Sequence, residues 1–310
     1  MTLVSIVIPV YNSSQYIDRC LYSVINQDFD QIEVCLVDDG STDGSGEICD
    51  KYAKKYSNIS VYHKKNEGAS LARRYGLMKA KGEYVTFVDS DDWISSDYIS
   101  KLYSLIEKYK VSVSACCAYR IKIGITMEKE NRTYQSSLLH FNNFMPRFFK
   151  YEFWGFWGKL YLKSCLEDLI FPVATLSEDY YVMAQLFNKE RQMAYTEEPL
   201  YYYEYHENSL SHQKLSKRAF EEFNNVKAVY DYTCQNMPKY ADYALSNVVE
   251  TCVKLFTLSK SGSDKEQYKS EYSSISSFLR KNAIKIIRCS PLNYKIKILT
   301  LIYMLKNCFF

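Results

Sequence analysis

Three carboxylates crowd into the four residues Asp89-Ser90-Asp91-Asp92. Like charges this close repel, and a hard divalent cation relieves the repulsion. Mg²⁺ commonly takes one or two carboxylates and completes its shell with substrate phosphates. The same residues would also make a solvated turn before a helix, so spacing alone leaves both readings open. A second acidic turn, Asp38-Asp39-Gly40-Ser41-Thr42-Asp43, holds a carboxylate able to accept a nucleobase N–H, but Ser and Asp equally make polar loops and helix caps. Asn66-Glu67-Gly68-Ala69-Ser70-Leu71-Ala72-Arg73-Arg74 sets small residues at a helix start and guanidinium groups one turn later. That suits a phosphate or a plain basic face. Ser177-Glu178-Asp179 precedes an apolar helical stretch. It reads either as a capped helix with acids in its first turn or as a general base at the mouth of a cleft. His206 and His212 are candidate metal or phosphate ligands, although a lone histidine is more often structural. No G-x-G-x-x-G or G-x-x-x-x-G-K-[ST] is present, so dinucleotide and P-loop readings lack their fingerprints.

The elements that must position these groups alternate. Val4–Val10 is apolar and β-branched and predicts a buried strand. Ser14–Asn26 carries Ile17, Leu21, Val24 and Ile25 at helical spacing. Strands are expected at Ile32–Val37, Ile59–His63, Tyr84–Val88 and Val111–Ala118, with helices at Gly44–Tyr56, Gly68–Lys79 and Asp97–Tyr109. This rhythm predicts an α/β fold, with a mostly parallel central sheet and helices on both faces. Ligands in such sheets bind at the carboxyl ends of strands, where the acidic clusters fall. Residues 119–213 are aromatic-rich and less periodic. Residues 214–310 read as a helical C-terminal extension with stripes at Phe220, Phe223, Val226, Val229, Tyr230 and at Val248, Val249, Cys252, Val253, Phe256. Ser259–Lys265 separates those helices, and Pro291 breaks the tail. The domain reading divides the chain at 1–110, 111–213 and 214–310, the last being the extension.

At 310 residues, 47% hydrophobic and 24% charged, the chain is globular rather than disordered, one main domain plus an extension. The net charge of +3 hides an asymmetry. No acidic residue follows Glu271, whereas Arg280, Lys281, Lys285, Arg288, Lys295, Lys297 and Lys306 do. The remainder carries 32 basic against 36 acidic residues, so the tail is a separate electrostatic object. Its interleaved isoleucines and leucines fit an interfacial helix on an anionic membrane surface, or a helix packed on protein or on a second subunit. The ten cysteines form no C-x-x-C pair and read as core hydrophobes in a reducing compartment. The apolar start lacks a signal-peptide pattern, and the tail run Ile298–Leu305 is too short to span a bilayer. The expected location is cytoplasmic, with peripheral contact at the inner face of the plasma membrane. No nucleic-acid partner is expected.

The order of the pieces carries more than any one of them. Val4-Ser5-Ile6-Val7-Ile8-Pro9-Val10-Tyr11-Asn12, Val37-Asp38-Asp39-Gly40-Ser41-Thr42-Asp43, Asn66-Glu67-Gly68 through Arg73, Phe87-Val88-Asp89-Ser90-Asp91-Asp92 and Ser177-Glu178-Asp179 together resemble the family-two glycosyltransferases with the GT-A fold. Phe156-Trp157-Gly158-Lys159-Leu160-Tyr161 is similar to the W-x-K-L-Y stretch of bacterial capsule and surface-polysaccharide members. The resemblance implies an inverting, metal-dependent transfer of one sugar from a UDP-sugar to a hydroxyl of a lipid-linked oligosaccharide. By it, Pro9, Tyr11 and Asp39 would hold the uridine, Arg73 and Ser90 would sit near the nucleotide, and Asp91 with Asp89 would hold Mn²⁺ or Mg²⁺. His206 is carried as a further candidate ligand. Asp179 would be the base, 1–110 the nucleotide-sugar-binding half and 111–213 the acceptor-binding half. Glu178, Trp154 and Trp157 are the acceptor-binding candidates; the rings of Trp154, Trp157 and Phe156 read either as stacking surface for acceptor sugars or as core packing. Many relatives have Asn where Arg74 stands, which leaves the contacts of that position open. The Q-x-x-R-W motif of processive synthases is missing. Two competing readings are a non-catalytic nucleotide-sugar or glycan-binding module and a nucleotide-sugar pyrophosphorylase, whose Gly-rich N-terminal loop is absent.

Overall fold

The computed structural model describes residues 3–122, 133–173, 176–205, 215–258 and 266–306. Its first half follows the sequence rhythm. Strands β1 (Val4–Val10), β2 (Ile32–Asp38), β3 (Ile59–His63) and β4 (Tyr84–Phe87) alternate with helices α1 (Ile17–Ile25), α2 (Ser45–Lys55) and α3 (Ala69–Lys79). They lie in the order β3-β2-β1-β4, all parallel. Strand β1 is buried along its length because helices cover both faces, which is why it reads as an unbroken apolar run. Its residues still alternate. Ile6 and Ile8 join Ile17 and Leu21 of α1 on one face, while Val7 joins Leu77 of α3 on the other.

Helix α3 comes unusually close to the sheet. A β-carbon at Gly76 would lie 2.3 Å from Val7 Cγ1 and 3.2 Å from Val37 Cγ2. Gly76→Ala therefore forces α3 off the strands that carry the acidic turns, and overpacking of this kind costs about 1–3 kcal/mol. Denaturant unfolding of the variant should show that loss, and an unchanged midpoint would mean that the helix shifts without penalty.

The second half comprises β5 (Trp93–Ile94), α4 (Tyr98–Tyr109), β6 (Val113–Lys122), β7 (Ser136–His140), α5 (Phe141–Phe148), β8 (Lys159–Leu162), α6 (Glu178–Lys189) and β9 (Gln192–Tyr205). Strand β8 inserts antiparallel between β4 and β6. Strand β9 runs parallel to β6 and antiparallel to β5 and β7. The long strand β9 lies where the sequence shows little periodicity. Register shifts at Cys116–Ala118 of its partner β6 break the two-residue alternation that would reveal it.

Helices α7 (Lys217–Asn236), α8 (Ala241–Leu258), α9 (Lys269–Lys281), α10 (Ala283–Arg288) and α11 (Tyr294–Lys306) complete the described chain. The expected stripes on α7 and α8 are buried. They share one hydrophobic core with Phe144 and Phe148 of α5 and Phe187 of α6, so these helices buttress the sheet layer. The expected break at Ser259–Lys265 lies outside the described residues. No described helix is long and apolar enough to cross a membrane.

Candidate active site

The carboxyl ends of β1, β2 and β4 meet in a cluster of interlocked loops. The Ser13 N–H donates to Ser45 Oγ at 2.8 Å, and the Ser13 and Ser90 hydroxyls share a hydrogen bond of 2.6 Å. The Thr42 N–H donates to Asn12 Oδ1 at 2.8 Å. Asp43 accepts from the Ser14 and Ser45 N–H groups and from the Ser45 hydroxyl. Despite some desolvation, those donors hold its pKa down at about 2. Tyr11 stands 51% exposed above this clamp, while Pro9 is buried within β1.

Asp39 is 2% exposed. Its carboxylate takes Lys64 Nζ at 2.6 Å and the N–H groups of Glu67 and Gly68 at 3.0 and 2.8 Å. The second acidic turn thus holds the loop before α3. Beside it, Asp38 accepts the Ser41 N–H and bonds His63 Nδ1 at 2.9 Å. A β-carbon on Gly46 would come within 2.9 Å of that carboxylate.

The three acids after β4 separate into different roles. Asp92 turns inward at 1% exposure, accepting the Tyr201 hydroxyl at 2.7 Å and the Glu204 N–H at 2.9 Å. Burial beside Asp91 and Asp89 pushes its carboxyl well above the usual carboxylate range. The Tyr201 oxygen also accepts the Asp89 N–H at 3.1 Å. Arg19 stacks over Trp93 at 3.8 Å, donates to the Asp91 carbonyl at 2.9 Å and pairs with Glu204. Strand β9 therefore fixes the acidic turn from below. Asp89 and Asp91 remain half-buried, and Asp89 takes Arg73 Nη2 at 2.7 Å. An all-oxygen donor set of one or two carboxylates fits a hard divalent cation whose shell a substrate completes. Among the described residues no cluster of three His, Cys, Asp or Glu side chains forms a protein-only cage. His206 and His212 lie outside the described residues.

Arg73 is the hub of the site. It is 7% exposed, and its other terminal nitrogen reaches Glu178 Oε1 at 3.3 Å. Its guanidinium lies over the Phe156 ring at 5.3 Å. One buried cation thus ties the acidic turn after β4 to the first turn of α6. This accounts for Glu178, which at 8% exposure faces Arg73 and not open cleft. Asp179, next in sequence, is half-buried and accepts its neighbour's N–H, that of Tyr180, at 2.9 Å. Desolvation, then the charge of Glu178, push its carboxyl up to about 8, with Arg73 opposing. The α6 start is held from the C-terminal helices. Asn247 donates to the Tyr180 hydroxyl at 2.7 Å, and Asn225 to the Leu176 carbonyl at 2.5 Å. Arg74, the position left open, donates to the Leu169 carbonyl at 3.3 Å.

The aromatic loop before β8 divides. Phe156 is 1% exposed and packed between Phe87 and Phe171, so of its two readings core packing holds and it offers no stacking surface. Trp154 and Trp157 are half-buried, Trp157 stacked on Tyr201 with 5.2 Å between centroids. Lys159 lies beneath, its ammonium donating to the Gly155 carbonyl at 2.6 Å and lowered to about 8 by burial. Tyr201, Glu204, Arg19 and Asn247 were not singled out from the sequence. A run of strand-forming tyrosines at Tyr201-Tyr202-Tyr203 was the available signal for the first two.

Comparison with known proteins locates this arrangement. The family described as Glycosyl transferase family 2 matches residues 5–170. The chain is 34% identical over 217 residues to Glycosyltransferase GlyA of Streptococcus pneumoniae serotype 4, covering 67% of this chain and 31% of that protein. It is 34% identical over 228 residues to Putative glycosyltransferase EpsH of Bacillus subtilis, covering 70% of this chain and 65% of EpsH. The chain therefore spans less than two thirds of the length of either relative. Among solved structures, S. aureus TarS 1–349 in complex with UDP-GlcNAc is similar with a TM-score of 0.72 and 21% identity, over 90% of this chain and 81% of that one. The complex of TarS 1–349 with UDP gives 0.74 and 19%, over 98% and 88%. At these identities the likeness is one of fold.

Proposed function

Because the chain belongs to glycosyl transferase family 2 and has the GT-A fold, we propose that it moves one sugar from a UDP-sugar to an acceptor hydroxyl in bacterial surface-polysaccharide synthesis, with inversion at the anomeric carbon. The observation that carries the reading is the Arg73 bridge. It brings the Asp89–Asp91 turn and the Glu178–Asp179 helix start to one place, as an in-line displacement needs a leaving-group side and a base side. UDP as the nucleotide is supported by exposed Tyr11 at the end of β1, free to lie against a base, and by the UDP and UDP-GlcNAc complexes of the TarS neighbours.

Asp91, with Asp89, would hold Mn²⁺ or Mg²⁺, and a bound cation there would offset charge on the departing diphosphate. Asp179 takes the proton of the acceptor hydroxyl as it attacks from the opposite side. Its raised pKa suits that task near neutral pH, since a base works best with a pKa close to the operating pH. Trp154 and Trp157 offer ring surface to acceptor sugars, and a lipid-linked oligosaccharide is the acceptor class. Lys159 keeps their loop in shape by holding the Gly155 carbonyl.

The test is UDP release across a panel of UDP-sugars, with Asp91→Asn beside the unaltered chain. Loss of one preorganised electrostatic partner at a developing charge costs about 10²-fold in turnover. Asp91→Asn should fall by that much, and chelation with EDTA should reproduce the loss. Full turnover in EDTA would remove the cation from the reading, and failure of every UDP-sugar would remove the donor class.

A further inference from the structure

Helices α10 and α11 bury one side and leave the other apolar side uncovered. On α11, Thr300 is buried and Tyr303 stacks on Phe256 at 4.7 Å. Half a turn away, Tyr294, Ile298 and Ile302 are 74%, 40% and 40% exposed. On α10, Ile286 is buried while Ile284 and Ile287 are 68% and 53% exposed. Lys297 Nζ donates to the Ile287 carbonyl at 3.0 Å, which ties α11 to the end of α10 across the Pro291 turn. Clustered exposed isoleucines of this kind mark a contact surface.

Charge decides what covers it. Arg288 and Lys295 are exposed among these apolar residues, Lys285 is exposed beside them with its ammonium 3.5 Å from the Tyr230 hydroxyl, and no acidic residue lies between Glu271 and the end of the sequence. A two-fold contact with a second copy through this patch would set each cation against the same cations of the partner. An anionic bilayer satisfies both features, taking the apolar side chains at the acyl boundary and the ammonium and guanidinium groups at the head groups. We infer that the exposed apolar and basic sides of α10 and α11 dock on an anionic lipid surface. This stands apart from the transfer reaction, because none of these residues belongs to the cleft.

The experiment is flotation of the full chain with vesicles of phosphatidylglycerol mixed with phosphatidylcholine, against phosphatidylcholine alone, at low salt. Binding should need the anionic lipid. Each basic residue near such a surface is worth about fivefold in partitioning. The triple variant Lys285→Gln, Arg288→Gln, Lys295→Gln should therefore bind about 10²-fold more weakly. The variant Ile284→Ser, Ile287→Ser, Ile298→Ser, Ile302→Ser should lose binding too, while keeping a cooperative thermal unfolding transition, because each of these side chains is already exposed by 40% or more. UDP release with a water-soluble acceptor should be the same for all three proteins, which keeps a failure here distinct from a failure of the catalytic reading. Equal flotation of the charge variant, equal binding to phosphatidylcholine alone, or no binding by the unaltered chain overturns the inference. A dimer dispersed by the serine variant, with no vesicle binding, would make the occupant a second copy.

Discussion

Asp179→Asn should leave donor affinity nearly intact and lower turnover by roughly 10²–10⁴-fold, the range for loss of a general base. The amide keeps the shape and the hydrogen bond from the Tyr180 N–H but cannot take a proton. Two further readouts come from the raised pKa of this carboxyl. In the unaltered protein, kcat/KM should rise with pH through a limb displaced from the usual carboxylate range towards about 8. Stability should move the other way. A carboxyl whose pKa is about 8 folded and about 4 unfolded is protonated on folding, so its contribution is full below the unfolded value and is lost as pH rises through the folded one. Asn lacks that loss. The stability of the variant relative to the unaltered chain should therefore grow between about pH 4 and 8. Lost UDP-sugar binding with preserved turnover would mean that Asp179 is not the base.

Arg73→Met should be the most damaging single change to the scaffold of the site. The methionine fills part of the space over Phe156 but leaves Asp89 and Glu178 facing each other without their cation. Removing one member of a buried ion pair costs about 3–5 kcal/mol, because the remaining charge is stranded. The denaturation midpoint should fall accordingly. The guanidinium also holds the Asp179 carboxyl down against burial and Glu178, so the acid limb of kcat/KM should move to still higher pH. Arg73→Lys keeps the charge yet cannot fork to two carboxylates, and should fall between the two proteins on both measures. A midpoint unchanged in Arg73→Met would show that the bridge does not hold the site together.

Strands β1 to β4 and the helices between them were legible in the sequence, because burial on both faces turns β1, β4 and most of β2 into apolar runs, and the half-exposed edge strand β3 completes their rhythm. The acidic turns were legible as well, since polar residues that end such runs stand out against them. The C-terminal stripes at Phe220–Tyr230 and Val248–Phe256 were plain because one-sided burial imposes the helical period. What each acid does was decided only by the fold. Asp89, Asp91 and Asp92 look alike as sequence, yet the hydroxyl of Tyr201, 109 residues beyond Asp92, draws one inward and leaves the other two half-buried. Nothing near Arg73 in the sequence points to Glu178, its partner 105 residues away. The support of α6 by Asn225 and Asn247 left no local trace either. Local pattern records which face of an element is buried. Which charge meets which depends on chain crossings that bring distant residues within hydrogen-bonding reach, and no periodicity encodes those.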